Sequence, residues 1–402
     1  MATRTLHIDD ELTDVPSHAP RAGEVFKNPT LAATFSAIAK DGKKGFYEGR
    51  IAEAMVELVQ SRGGVMTLED LKQHRTTPVE PITYSYGGPN GVTLHECPPN
   101  GQGITALIAL GIIEALEDAG TVDLSKAEHN GVEWLHTLIE AMRLAFADAS
   151  AYIADPEVVP VPVKELLSKE YLKSRAALFN PKEAIKGVHK GVPFASSDTV
   201  LFTTSDAEGN ACSYIQSNYA GFGTFAVPKG CGFTLQNRGT GFKLEKGHPN
   251  CIAGNKRGYH TIIPALVTKG EGTGGDLMMT YGVMGGFMQP QGHVQVLLNM
   301  VLKGMNAQAA LDAPRFCISA SVTNTVDKED YAPNAVSAET FLEEGISEKV
   351  RDELIKMGHG VEILRGWSRG MFGKGQIIQK LPGGVWAGGS DLRGDGHAVP
   401  QI

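Results

Sequence analysis

The feature that most constrains this chain is a change of hydrophobic period near residue 195. Before it, apolar residues recur at three- and four-residue spacing, as in helices with one buried face. After it, they come in short runs broken by glycine and aspartate turns, as in paired strands. In the first half, Leu31, Phe35 and Ile38 are predicted to share a helix face, and Ile51, Met55, Leu58 and Val59 another ahead of the Gly63-Gly64 stop. Thr67 and Asp70 have the spacing of a capping box. After the strand V-T-L-H-E, apolar helices are predicted over 104–116 and 131–149, the latter with Leu135, Leu138, Ile139, Met142 and Phe146 inward. In the second half, Val200–Thr204 and Ala211–Gln216 are predicted to form a hairpin about the turn Asp206–Asn210. Further strands are predicted over 262–267 and 277–283, helices over 291–302 and 347–357, and a last hairpin around Pro382-Gly383-Gly384. Helices first, strands later and helices again predict an α+β layered fold.

Composition excludes several classes. The 402 residues carry a formal charge of −8, which offers no basic footprint for nucleic acid. The five cysteines (Cys97, Cys212, Cys231, Cys251, Cys317) are odd in number and lack paired short spacings, so reduced and mostly buried thiols are expected rather than a disulfide framework or zinc site. No apolar run approaches a membrane span and the N-terminus has no signal-like core, so a cytoplasmic protein is expected. Proline disqualifies Asn28-Pro29-Thr30 for glycosylation. The residues 1–25 are polar and proline-bearing, an expected extended lead-in.

Among motifs, Gly270-x-Gly272-x-x-Gly275 has dinucleotide-fingerprint spacing, but a strand follows it, so a hairpin loop is expected. No phosphate-loop, zinc-protease or nucleophile-elbow pattern occurs, and the twelve histidines show no metal-ligand spacing. Neither metal nor organic cofactor is therefore expected. Thr199 alone would be an ordinary strand threonine. It follows a polar small-residue stretch, Phe194-Ala195-Ser196-Ser197-Asp198, of the kind that is exposed to cleavage. Downstream, Gly285-Gly286 offers two backbone N–H groups suited to an oxyanion.

The ordered stretches V-F-K-N-P-T-L-A-A-T-F, G-F-Y-E-G-R-I-A, G-G-V-M-T-L-E-D-L, E-C-P-P-N-G-Q-G and H-T-L-I-E-A-M-R-L-A-F-A-D precede Thr199. After Asp198 come T-V-L-F-T-T-S-D-A-E-G-N-A, N-K-R-G-Y-H-T-I-I-P-A-L-V, Y-G-V-M-G-G, A-P-R-F and G-G-S-D-L-R-G-D-G. From about Val25 onward the chain resembles the γ-glutamyltranspeptidase family of N-terminal nucleophile hydrolases. The resemblance implies a four-layer αββα sandwich and one self-cleavage, between Asp198 and Thr199. Residues 1–198 would form a mainly helical large-subunit-like region and 199–402 a small-subunit-like region, together one globular domain whose two fragments stay associated. Cleavage would leave the Thr199 hydroxyl beside its own α-amine, whose pKa of about 7.7–8.0 lets it act as base.

By the same resemblance, Ser217 stands where a threonine hydrogen-bonds the nucleophile, and Gly285 and Gly286 stand at the oxyanion hole. His260 and Thr261 occupy two serine positions that hold a substrate carboxylate. Tyr219 stands in place of an asparagine that contacts the γ-glutamyl group, with Asn218 as its neighbouring substitute. Asn237 and Arg238 fall in the N-N-Q segment, and Gly241 replaces an aspartate that pairs with the substrate ammonium. The short connection from Phe242 to Lys256 implies that the lid loop of some members is absent. Family members also carry a long region before V-F-K-N-P, including a carboxylate-binding arginine, and the resemblance implies that this chain lacks it. A γ-glutamyl amide such as glutathione is the first expected substrate. A glutaryl- or cephalosporin-type acyl amide is the alternative, and a truncated, catalytically silent chain acting by binding is a third reading. Homo-oligomerisation is left open.

Overall fold

The computed structural model describes residues 20–21, 23–186, 199–318 and 340–400. Asp198, the small-residue stretch before it and most of the lead-in lie outside the described residues. The chain divides into two compact units, Met1–Pro78 with Asn218–Arg238, and Val79–Ser217 with Gly239–Ile402.

The first unit carries helices α1 (Pro29–Asp41), α2 (Lys44–Tyr47), α3 (Arg50–Ser61) and α4 (Leu68–Gln73). Proline is tolerated at the first turn of α1, and the Asn28 side chain accepts from Leu31 N–H at 2.9 Å, which starts the helix there. The predicted capping box is present: Thr67 Oγ1 accepts from Asp70 N–H, and the Asp70 carboxylate accepts from Thr67 N–H at 2.7 Å. The core is small, built on Ile51, Met55 and Cys231 with Phe46, Leu71, Phe233 and Leu235 around them. The predicted face of α1 is not its buried one, for Phe35 is 61% exposed and only Thr34 is buried. Two hydrogen bonds set this rotation, Thr34 Oγ1 to Cys231 O at 2.9 Å and Asn28 Nδ2 to Gly232 O at 2.8 Å. They turn the polar side of the helix toward the 231–232 turn.

The second unit opens with β1 (Ile82–Tyr86), β2 (Val92–Glu96), α5 (Gly103–Asp118), α6 (Val132–Tyr152), α7 (Val163–Leu166) and α8 (Lys169–Ala176). It continues through β3 (Thr199–Ser205), β4 (Ala211–Ser217), β5 (Ala265–Lys269), β6 (Leu277–Met284), α9 (Met288–Val301) and α10 (Ala307–Asp312). The remainder is β7 (Phe316–Ile318), β8 (Thr340–Glu343), α11 (Glu348–Lys356), β9 (Val361–Leu364), β10 (Lys374–Lys380) and β11 (Trp386–Ser390). One six-stranded antiparallel sheet runs β1-β2-β5-β6-β10-β11; β3 and β4 form a separate two-stranded ribbon, and β7, β8 and β9 a small mixed sheet.

α5 is apolar all round, and 13 of its 16 residues are buried, so it lies inside the core rather than on a surface. All five inward residues predicted for α6 are buried. A Cβ placed on Gly292 of α9 would lie 2.6 Å from Val283, which shows how closely this helix approaches β6. The neighbouring Gly282 meets Leu201 of β3 instead, and side chains alternate along a strand, so the β3–β4 ribbon covers the opposite sheet face. Helices on one face and a second sheet on the other give the α+β sandwich.

Two element boundaries move for local reasons. β5 begins at Ala265 rather than 262 because Pro264 has no N–H to give a ladder. α9 begins at Met288 rather than 291 because Pro290 sits in its first turn, where proline is tolerated. The Gly270–Gly275 segment closes the β5–β6 hairpin, with Lys269 N–H bonded to Asp276 O at 2.9 Å.

A–P–R–F and G–G–S–D–L–R meet in a buried ionic lattice. Arg315 Nη2 donates to Asp391 Oδ2 at 2.6 Å, while Arg393 donates to Asp391 at 3.0 Å and to Glu343 at 2.5 Å. Burial alone would raise the Asp391 carboxyl, but the two guanidinium groups overcome it and hold it below its ordinary range. These motifs therefore tie the C-terminal segment to β7 and β8. Among the described residues no helix is long and apolar enough to cross a membrane.

Candidate active site

Thr199 is the first residue of β3 and is 2% exposed. Its Cα partner across the ribbon is Ser217, the last residue of β4. The two hydroxyl residues expected to cooperate thus stand opposite each other at the same end of one hairpin. The ribbon is fastened to the six-stranded sheet by Ser213 Oγ, which donates to Tyr281 O at 3.0 Å, and by Leu201 over Gly282. At its far end Trp386 Nε1 donates to Asp206 O at 3.1 Å.

Gly285 and Gly286 lie between β6 and α9 with φ of 132° and 62°, conformations in which a side chain would be strained. Their carbonyls are engaged: Gly285 O accepts from Met288 N–H at 3.1 Å, and Gly286 O from Gln289 N–H at 3.3 Å. Among the described residues no acceptor is paired with either glycine N–H, so both donors are available to an oxyanion.

His260 is half-buried and Thr261 buried. Their segment is stitched to the P-P-N-G-Q loop by His260 N–H to Asn100 O and Gln102 N–H to His260 O, both 3.0 Å. Gln102 is fully buried at the start of α5. Its Nε2 donates to Thr261 O at 2.5 Å and to Gly286 O at 2.8 Å, and its Oε1 accepts from Tyr259 OH at 3.2 Å. The sequence alone gives Gln102 no role. A glutamine beside a glycine before an apolar helix carries no mark of partners 159 and 184 residues downstream.

Gly241 has its own environment. A Cβ there would lie 2.8 Å from the backbone carbonyl of Tyr259, and Gly241 O accepts from Asn250 Nδ2 at 2.7 Å. A longer side chain at 241 therefore requires the backbone to move.

The remaining expected residues belong to the first unit. Tyr219 is buried with φ of 80°, an outlier for a bulky side chain. The Arg238 guanidinium lies over its ring at 5.9 Å. Burial lowers the Arg238 pKa to about 10, with Tyr219 acting in the opposite direction. Asn237 accepts from Ala220 N–H at 3.0 Å and donates from its own N–H to Asn218 O at 3.1 Å; Asn218 Nδ2 donates to Thr234 Oγ1 at 3.2 Å. The structure thus gathers Thr199 with Ser217, and His260–Thr261 with Gly286 through Gln102, in the second unit. Asn218, Tyr219, Asn237 and Arg238 form a separate group in the first.

His293 of α9 is buried with its Nδ1 2.6 Å from Glu96 Oε1, and burial raises the Glu96 carboxyl against the opposing effect of His293. Among the described residues no group of three His, Cys, Asp or Glu side chains converges as metal ligands.

A strand-borne threonine facing a serine across a ribbon, on a sheet capped by helices, defines a fold of the N-terminal nucleophile hydrolase type. The chain belongs to the γ-glutamyltranspeptidase family, whose profile matches residues 10–401, fifteen residues earlier than the motifs alone suggested. It is 34% identical to the glutathione hydrolase-like YwrD proenzyme of Bacillus subtilis over 95% of this chain and 67% of that protein. It is 32% identical to the oxamate amidohydrolase proenzyme of Klebsiella pneumoniae over 96% of this chain and 67% of that protein. Cephalosporin acylase from Bacillus halodurans superimposes with a TM-score of 0.79 at 37% identity, covering 94% of this chain and 64% of that one. The chain thus spans about two thirds of the length of these relatives.

Proposed function

We propose that this chain is a self-cleaving N-terminal-threonine amidohydrolase that acts on acyl amides whose acyl part lacks an α-ammonium group. The observation that carries the reading is Gly241. The resemblance assigns this position an aspartate that would pair with the ammonium of a γ-glutamyl head, yet here the Tyr259 carbonyl stands 2.8 Å from where its Cβ would be. A carboxylate there would need the backbone to move, so the charge-assisted contact that would favour a γ-glutamyl group is missing in this conformation. Arg238 supports the same reading, since it adds a cation suited to a second carboxylate, as in a glutaryl or oxamate-like acyl group. The names of the amidohydrolase and acylase relatives agree with it.

In the proposed sequence, Thr199 Oγ1 attacks the Asp198 carbonyl, the peptide nitrogen leaves as the new Thr199 amine, and water hydrolyses the ester. In turnover that amine takes the hydroxyl proton as Oγ1 attacks the substrate amide. The Gly285 and Gly286 N–H groups hold the oxyanion, and the proton passes to the departing amine. Water then releases the acid and restores the hydroxyl. Ser217 orients Oγ1, while His260 and Thr261 hold the carboxylate. The two fragments remain associated.

A denaturing gel of the purified chain, followed by assays with glutaryl- and γ-glutamyl-p-nitroanilide, tests this. Two bands with an N-terminus at Thr199 and preference for the glutaryl substrate are expected. An uncut, inert chain would overturn the enzyme reading. Preference for the γ-glutamyl anilide would restore the second reading, a glutathione hydrolase, which the family resemblance favours.

A further inference from the structure

We propose that Gln102 is a positioning residue that braces the peptide next to the oxyanion-binding one and couples it to the carboxylate-holding segment; this rests on the reading of Gly285–Gly286 given above. Two consecutive glycines at positive φ are the part of the site most able to rotate a peptide plane, because no side chain restricts them. The plane before Gly286 is pinned by Met288 N–H on Gly285 O, and the plane after it by Gln289 N–H at 3.3 Å and by Gln102 Nε2 at 2.8 Å. In a trans peptide the carbonyl and N–H point in opposite directions. Holding Gly285 O through Met288 therefore aims the Gly286 N–H the opposite way, and Gln102, by holding the next plane, fixes the Gly286 ψ about which that donor plane would otherwise turn.

The second donor of the same amide holds Thr261 O at 2.5 Å. One planar group thus sets two backbone segments, 261 and 286, in a fixed relation. Tyr259 OH donating to Oε1 fixes which end of the amide is the donor. All three side-chain polar valences that matter are used, and the residue is fully buried, so solvent supplies no replacement. Glutamate at this position presents oxygens to two carbonyls and, once protonated, regains one donor. Methionine has the same length and no donor at all.

The experiment measures Asp198–Thr199 self-cleavage by gel densitometry, and glutaryl-p-nitroanilide turnover, for the wild-type chain, Gln102→Met and Gln102→Glu between pH 5.5 and 8. Self-cleavage and turnover pass through the same oxyanion, so Gln102→Met is expected to slow both by about 10- to 100-fold. The loss should fall mainly in kcat, with a smaller rise in KM for the carboxylate substrate. The ratio of Gln102→Glu to wild-type rates should rise as pH falls, as the protonated acid recovers one hydrogen bond. If Gln102→Met is insoluble, that ratio decides alone. Self-cleavage and kcat of Gln102→Met within twofold of wild type, or a flat Gln102→Glu ratio, would overturn the positioning role while leaving the enzyme reading standing. A wild-type chain that never cuts would overturn both.

Discussion

The β3–β4 ribbon, which carries the proposed nucleophile, lies against the central sheet because Gly282 has no side chain. A Cβ there would come 2.2 Å from Leu201 Cδ1, with Leu201 Cγ and His293 Nε2 each at 3.5 Å. Gly282→Ala therefore has a definite consequence. The clash involves a terminal methyl, so rotation of the leucine can relieve part of it, at about 0.5–1.5 kcal/mol for an off-rotamer side chain. Leu201 is only 8% exposed, so the rotated methyl has little room, and the rest must come from lifting the ribbon. A total near the lower part of the overpacking range, about 1–2 kcal/mol, is expected. Leu201→Ala alone should cost about 2–3 kcal/mol, below the deepest core sites because the other face of the ribbon carries exposed Val200 and Phe202.

The double variant removes the clashing methyl. Its cost should match Leu201→Ala alone to within about 0.5 kcal/mol, giving a coupling of about 1–2 kcal/mol. Urea melts of uncut chains, made in a Thr199→Ala background so that processing does not enter, measure the cycle. With Thr199 restored, Gly282→Ala should slow self-cleavage and the double variant should recover relative to it. Additive stabilities within about 0.3 kcal/mol would refute the argument that this contact seats the nucleophile strand.

Thr199→Ala should abolish both the second gel band and turnover; surviving anilide hydrolysis would move the nucleophile elsewhere. Gly241→Asp should cost about 1–3 kcal/mol in a urea melt, because its Cβ meets backbone, and should leave γ-glutamyl-p-nitroanilide hydrolysis no better than before. His359 is 6% exposed, with its Nε2 2.7 Å from His136 Nδ1 and its Nδ1 3.8 Å from Glu140. Burial, then His136 and Arg143, pushes its pKa down to about 3. The unfolded chain takes up a proton near pH 6.5 that the native state refuses, so stability is lost as pH falls below about 6.5, by about 1.4 kcal/mol per unit. His359→Gln should flatten the urea midpoint between pH 6.5 and 5, and an unchanged slope would count against this cluster as its source.

What could be read from the sequence followed from period and from punctuation. The ribbon of β3 and β4 was legible because two short strand-like runs flank the turn Asp206–Asn210, and α5 and α6 because their apolar residues run long. The face of α1 was not, since Leu31, Phe35 and Ile38 compete with two side-chain hydrogen bonds to a segment some 200 residues away, and local period carries no trace of them. The same holds for Gln102. Its role depends on two carbonyls 159 and 184 residues downstream, so no local pattern distinguishes it from a surface glutamine. Arg315, Asp391 and Arg393 lie between these cases, visible as motifs but assignable only when burial shows that they pair with each other. Gly241 is the instructive one. Comparison by motif reads it as a lost carboxylate, a change that one mutation could reverse. The Tyr259 carbonyl 2.8 Å from its would-be Cβ says otherwise, because the backbone has closed into the space. The departure lies in the chain path as well as in the side chain, so a substitution at 241 must move backbone before it can place a carboxylate. On the proposed reading, specificity would then be set as much by where the main chain runs as by which side chains it carries.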